Sequence, residues 1–187
     1  MKIKKVGEAN SRELLWKIRA NPHLWDQNTA RTIDPESPHH GLSDIWARYA
    51  PLGVDGSKPH KSIWYDSPLT EELQALACQL VSLAEGTELG GVLITRIPPG
   101  GLCRPHSDPG WHARYYEKLA VQVESAPGQA FCFEGESLET KPGDIFWFDN
   151  AHTHWVPNES PYERVTAIFC IKTEAFEALK EKTCLGV

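Results

Sequence analysis

His106 and Asp108 stand two positions apart in the stretch PPGGLCRPHSDPGW, residues 98 to 111, among prolines and glycines. An imidazole and a carboxylate brought together by such a loop form one half of a metal site. The other half is offered downstream in FDNAHTHWVPNESPYERVTAIF, where His152 and His154 sit at the entrance of a strand. Two imidazoles and one carboxylate on one face of an octahedral ion make the facial triad that suits non-haem Fe(II). That triad leaves three positions for a bidentate cosubstrate and dioxygen. His152 and His154 are themselves two apart, so either fits as the third ligand. Arg164 follows His154 by ten positions and shares a face with Thr166, because alternate residues of a strand point the same way. A guanidinium beside a hydroxyl suits a carboxylate held at a fixed distance from the ion. The local sequence offers Arg164 only Glu163, on the opposite face, so a buried arginine here is expected to find its anion in a ligand.

Positioning these residues takes a scaffold that brings distant segments to one mouth. From Glu88 onward the chain is a series of short β-rich runs, LGGVLITRI, KLAVQVE, QAFCFEG, SLET, DIFWFD, THWVP and RVTAIFCIKT, separated by turn residues as in SAPGQ, EGES and KPGD. Short, closely spaced strands predict a sandwich or barrel rather than a parallel α/β sheet. The fold expected is mainly β with flanking α-helices, a double-sheet jelly roll. Its hairpins carry the HxD loop and the later histidines to the same open end. Before it, SRELLWKIRA reads as a helix capped by Ser11, and DIWARY as a strand in an otherwise irregular section. EELQALACQLVSLAEG carries apolar residues at helical spacing and stops at Gly86. The closing TEAFEALKEK reads as another helix. One domain spans 1–187, with a helical and irregular part to about 87, a jelly-roll core over about 88–172 and a C-terminal helix over about 173–183.

With 187 residues the chain is long enough for one domain with a substantial core, and its 41% hydrophobic and 24% charged residues are those of a globular protein. A formal charge of −6 argues against nucleic acid or an anionic membrane as partner. The opening MKIKKVGEANSRELLW has basic residues without a following apolar run, which is not the pattern of a signal peptide, and no stretch approaches the length of a membrane span. Cysteines 78, 103, 132, 170 and 184 are odd in number and unpaired in spacing. They read as free thiols, mostly buried, in a reducing cytoplasm.

The run TRIPPGGLCRPHSDPG, followed by KLAVQVE and then KPGDIFWFDNAHTHWVPNESPYERVTAIF, resembles the Fe(II)/2-oxoglutarate-dependent oxygenases. It is most similar to the aspartyl/asparaginyl β-hydroxylase family, over roughly Leu93 to Ile171. Its most specific feature is H-x-x-x-N-x-x-x-x-R-x-T. The resemblance implies a double-stranded β-helix, another name for this jelly roll. It implies His106, Asp108 and His154 as iron ligands, with Arg164 and Thr166 on the far carboxylate of 2-oxoglutarate and Lys118 assisting from the strand after the HxD loop. It implies hydroxylation by dioxygen of a small-molecule or peptide substrate. The animal enzymes of that family have glycine where this chain has Asp108. The complete triad is similar to that of bacterial members acting on free amino acids such as proline, so a free amino acid, small carboxylate or peptide side chain is expected.

Arg48 is a candidate for a substrate carboxylate, His112 for the substrate pocket, and Trp155 for its lining. His39 and His40 read as solvated loop residues, and Trp111 and Trp147 as packing. Two rival readings share the barrel. A cupin-type metal enzyme not using 2-oxoglutarate leaves Arg164 and Thr166 without a role. A non-catalytic ligand-binding jelly roll would use the seven tryptophans.

Overall fold

The computed structural model describes residues 1–180. Two antiparallel sheets face one another. The larger runs in the order β1-β9-β6-β11-β4-β2-β3, from β1 (Ile3–Glu8), β2 (Ser43–Tyr49), β3 (Ile63–Trp64), β4 (Glu88–Ile97), β6 (Glu117–Glu124), β9 (Asp144–Phe148) and β11 (Arg164–Lys172). The smaller runs β5-β10-β7-β8, from β5 (Leu102–His106), β7 (Ala130–Phe133), β8 (Glu136–Glu139) and β10 (His154–Pro157). Two strand layers with crossed-over neighbours give the expected jelly roll.

The helices α1 (Arg12–Ala20) and α2 (Thr70–Leu83) cover the outer face of the larger sheet. There Leu14, Leu73 and Leu80 pack against Val121, Ala167 and Phe169, each 1% exposed or less. Between the sheets a second core gathers Phe131, Phe133, Phe146, Phe148 and Val156. Along β11 the odd residues from Val165 to Ile171 belong to the helix-side core, and Ile168 packs against the inner one. Arg164 and Thr166 accordingly turn into the barrel.

Four details depart from the sequence reading. Ser11 occupies the N-cap position of α1 but makes no side-chain cap, lying buried instead. At the end of α2 the left-handed residue is Glu85 (φ 49°) rather than Gly86. The amides of Glu85 and Gly86 bond the carbonyls of Ser82 and Val81, the double closure of a Schellman motif. The N-terminal part also supplies β1, an edge strand with a register shift at Gly7 and a lysine-rich face that hides its period. Finally, residues 173–180 form turns rather than a helix. Phe176 stacks on Trp147 at 5.4 Å and Leu179 packs against the core, so tertiary anchoring overrides helical propensity. The rest of the predicted C-terminal helix, and Cys184, lie outside the described residues. Of the other cysteines, all free, Cys103 and Cys170 are buried, Cys132 is intermediate and Cys78 is exposed. Among the described residues no helix is long and apolar enough to cross a membrane.

Candidate metal centre

His106 is the last residue of β5 rather than a loop residue, and it pairs directly with His154, the first of β10. Pro105 is tolerated beside it because β5 is an edge strand. The two imidazoles lie side by side with centroids 4.4 Å apart. Asp108 follows in the turn before the short helix α3 (Gly110–Tyr115), its amide bonded to the Asn150 carbonyl at 2.9 Å. Donor atoms of His106, Asp108 and His154 all lie within 4.8 Å of one another, and Asp108 Oδ1 is 3.4 Å from His106 Nε2.

Backbone carbonyls fix both rings. Nδ1–H of His106 donates to Arg104 at 2.7 Å, and Nδ1–H of His154 to His152 at 2.9 Å. With Nδ1 so tied, both Nε2 atoms are turned to the shared space, the usual orientation of a ligating histidine. Nε2 of His106 is buried without a hydrogen-bond partner. An orphaned buried nitrogen beside a carboxylate and a second imidazole is the chemistry a divalent cation satisfies, so the donor set fits a metal. Burial pushes the His154 ring down and keeps it neutral. Burial would also lower His106, but Asp108 and Cys103 beside it raise it to about 10, so without a cation Nε2 holds a proton facing Asp108, and a metal binds there by displacing that proton. The Asp108 carboxylate is held well below the usual range by His106 and Lys118 against the opposing effect of burial.

His152 does not join the cluster. Its ring is 38% exposed, bonds Asp149 at 3.0 Å, and contributes only its carbonyl to the site. Between the two like histidines, strand pairing with His106 makes the selection.

The cluster opens into a cavity of about 520 Å³ between the sheets, within the roughly 300–1,000 Å³ of small-molecule sites. Lys118 lines it, half-buried, with its ammonium 2.9 Å from Cys170 Sγ and no carboxylate partner among the described residues. Arg48 and His112 line it too. The Arg48 guanidinium donates to the Leu89 carbonyl at 3.1 Å and rests over Trp64, but its Nε is buried without a partner, as is Nε1 of Trp46 in the same wall. His112 accepts the Gly91 amide at 3.3 Å on Nε2, and burial lowers it to about 3.

Arg164 and Thr166 do not line this cavity. They lie deeper, where Arg164 is 1% exposed and makes 3.4 Å contacts to the Gln129 carbonyl and Thr140 Oγ1, with no ion pair among the described residues. Burial lowers the guanidinium to about 10. Thr166 meets Gln122 Oε1 at 3.4 Å. Trp155 points away from the cavity, since strand alternation gives that face to His154 and Val156. Trp147 is core, bonding Glu117 at 2.9 Å, and Trp111 packs against His112 and bonds the Gly56 carbonyl.

Two residues escape a reading by period. His39 is not solvated. Its ring edges against His106 at 4.7 Å inside the cavity wall, and burial lowers it to about 2. His40 is exposed, as expected. Arg31 closes the same wall, bidentate to buried Asp44 at 2.6 and 3.0 Å and bonded to Thr95.

Solved structures share this architecture. A prolyl hydroxylase from Trichoplax adhaerens, in complex with a hypoxia inducible factor oxygen degradation domain peptide fragment, superposes with TM-score 0.61 and 14% identity over 96% of this chain and 86% of that one. A 2OG-Fe(II) oxygenase family oxidoreductase from Burkholderia pseudomallei gives 0.59 and 16% over 84% and 78%. The viral collagen prolyl hydroxylase of Paramecium Bursaria Chlorella virus-1, in its 2OG complex, gives 0.57 and 14% over 92% and 96%. At such identities the likeness concerns the fold. No curated protein matches the chain by sequence. The model of the aspartyl/asparaginyl β-hydroxylase family matches residues 28–173, reaching well into the N-terminal part that the motif resemblance left out. The chain, with its paired histidines and Asp108 inside that span, belongs to the aspartyl/asparaginyl β-hydroxylase family.

Proposed function

We propose that this protein is an Fe(II)- and 2-oxoglutarate-dependent dioxygenase that hydroxylates an unactivated C–H bond of a small carboxylic acid, free amino acids included. The observation that carries the reading is the orphaned Nε2 of His106, buried beside Asp108 and His154 at the inner end of a cavity. His106, Asp108 and His154 would hold the iron. With 2-oxoglutarate and dioxygen, that centre supplies the oxidising power for C–H hydroxylation, with succinate and carbon dioxide as coproducts.

The chain's own task is binding and exclusion. Three cations have no carboxylate partner among the described residues: Lys118 and Arg48 in the cavity wall and Arg164 behind it. Arg164 is buried and Lys118 and Arg48 are half-buried, and a charge without a counter-ion is costly to keep in such places, so their grouping around one site supports anionic ligands. Arg164 and Thr166, behind the cavity wall, would take the far carboxylate of 2-oxoglutarate, with Lys118 adding charge from the wall itself. Arg48 Nε and Trp46 Nε1, two donors without acceptors, take the substrate carboxylate. The neutral ring of His112 packs in the same wall, tied to Gly91.

Anaerobic titration of metal-free protein with Fe(II) and then 2-oxoglutarate tests the reading. A visible charge-transfer band is expected, and Arg164→Ala and Lys118→Ala should each raise the 2-oxoglutarate concentration it requires at least tenfold. Iron binding with no band would hand the site to a cupin-type enzyme without 2-oxoglutarate. No iron binding would dismiss the triad. Succinate release stimulated by free amino acids, and lost in Arg48→Ala, would support the substrate class; stimulation by peptides alone would replace it.

A further inference from the structure

His106 belongs to two ligand clusters. Besides the triad with Asp108 and His154, donor atoms of His39, Cys103 and His106 also lie within 4.8 Å of one another. We infer that His39, Cys103 and His106 form a second ligand set, for a thiophilic cation such as Zn²⁺ or Cu⁺, which competes with the triad for Nε2 of His106. The competition with iron rests on the proposed function above; the second set itself does not.

The cluster is built by the fold. Residues 103 and 106 are three apart, a spacing that puts them on opposite faces of a regular strand. The register between β5 and β10 shifts there: His106 pairs with His154 and Cys103 with Val156, so β5 spends one more residue than its partner. This bulge returns Cys103 to the face of His106, and Cys103 is 6% exposed in the cavity wall. His39 reaches the same point on a loop tied to β5. The Arg104 amide donates to the Pro38 carbonyl at 2.9 Å, the Arg104 guanidinium to the carbonyls of Pro35 and Ser37, and Ser37 Oγ accepts the His39 amide at 3.2 Å.

Donor chemistry then separates the two sets. Two imidazoles with a carboxylate suit Fe(II), whereas two imidazoles with a thiolate suit softer ions. Bonds of about 2.0–2.3 Å to zinc set tetrahedral donor separations near 3.3–3.8 Å, and the donors of this cluster lie within 4.8 Å of one another before any cation draws them in. Nδ1 of His106 is committed as a donor to the Arg104 carbonyl, so the ring has one lone pair to give. One lone pair serves one ion, and occupancy of the thiolate set therefore excludes iron from a complete triad.

Cobalt(II) reports the set directly, because a thiolate ligand adds a near-ultraviolet charge-transfer band. Metal-free wild type titrated with Co(II) should develop that band, Cys103→Ser should lose it, and Asp108→Ala should keep it. His39→Ala should need at least tenfold more Co(II) for the same absorbance, which also tests the set if Cys103→Ser fails to fold. A wild type without the band, or a band that survives Cys103→Ser, would overturn the inference. The oxygenase reading is tracked separately by the iron and 2-oxoglutarate band in Cys103→Ser, which should form as in wild type. Zn²⁺ added to the iron and 2-oxoglutarate complex should bleach that band in wild type at concentrations at least tenfold lower than in Cys103→Ser. Equal sensitivity would dismiss the competition.

Discussion

At the scale of single residues, the motif asparagine between His154 and Arg164 turns out to build the frame rather than touch a ligand. Asn158 is 1% exposed. Its Nδ2 donates to the carbonyls of Ile97, Pro98 and Tyr162 at 2.7 to 3.0 Å, while Oδ1 accepts the amide and hydroxyl of Ser160. One carboxamide thereby ties the turn leaving β4 to the loop between His154 and Arg164, setting the distance from metal ligand to guanidinium. Asn158→Ala should leave several buried backbone groups unpaired, at roughly 1–3 kcal/mol for each that finds no water. Chemical denaturation should show a loss of about 2–4 kcal/mol, with a larger proportional loss of 2-oxoglutarate than of iron binding. Unchanged stability would mean that the clamp is replaceable by solvent. The spacing of this asparagine was legible in the sequence, but its role was not, because all three of its carbonyl acceptors belong to the backbone, where residue type leaves no mark.

At the scale of elements, period alone located most strands of the barrel, and what it missed has a common cause. β5 carries a proline and a bulge, β1 is a charged edge strand, and α3 is only six residues long. Each breaks the alternation or length on which a pattern reading rests. The bulge in β5 matters most, because it alone turns Cys103 toward the site. Gly86 shows a different limit. The sequence marks it as a helix stop, yet the left-handed position belongs to Glu85, and Gly86 is required by contact: a Cβ there would lie 2.4 Å from Ile171 Cγ2. Gly86→Ala should therefore force α2 and β11 apart and destabilise the fold by about 1–3 kcal/mol, visible as a lowered melting temperature. Glu85→Gly should instead raise it slightly by relieving the strained φ. The reverse order would restore Gly86 as the turn residue.

At the scale of the whole molecule, a chain of net charge −6 sets two cations without carboxylate partners among the described residues, Lys118 and Arg48, in the cavity wall and a third, Arg164, behind it. Composition gives the net charge but cannot place Lys118, Arg48 and Arg164 around one site, since that depends on three strands of one sheet. The same interior makes the fold sensitive to acid through a histidine outside both ligand sets. Burial holds His112 neutral down to about pH 3 in the folded protein, against an ordinary value of about 6.5 in the unfolded chain. Below pH 6.5 the unfolded chain binds a proton that the folded chain refuses, so stability falls as pH drops, by about 1.4 kcal/mol per pH unit, until about pH 3. Above pH 6.5 both states are neutral and the ring adds no slope. Urea unfolding at pH 7 and pH 5 should thus show wild type losing about 2 kcal/mol more than His112→Phe between those conditions. The variant also lacks the acceptor for the Gly91 amide, but that loss is the same at both pH values and cancels. Equal losses in the two proteins would mean that the folded cavity admits a proton to His112, and with it enough water to weaken every electrostatic argument made for the site.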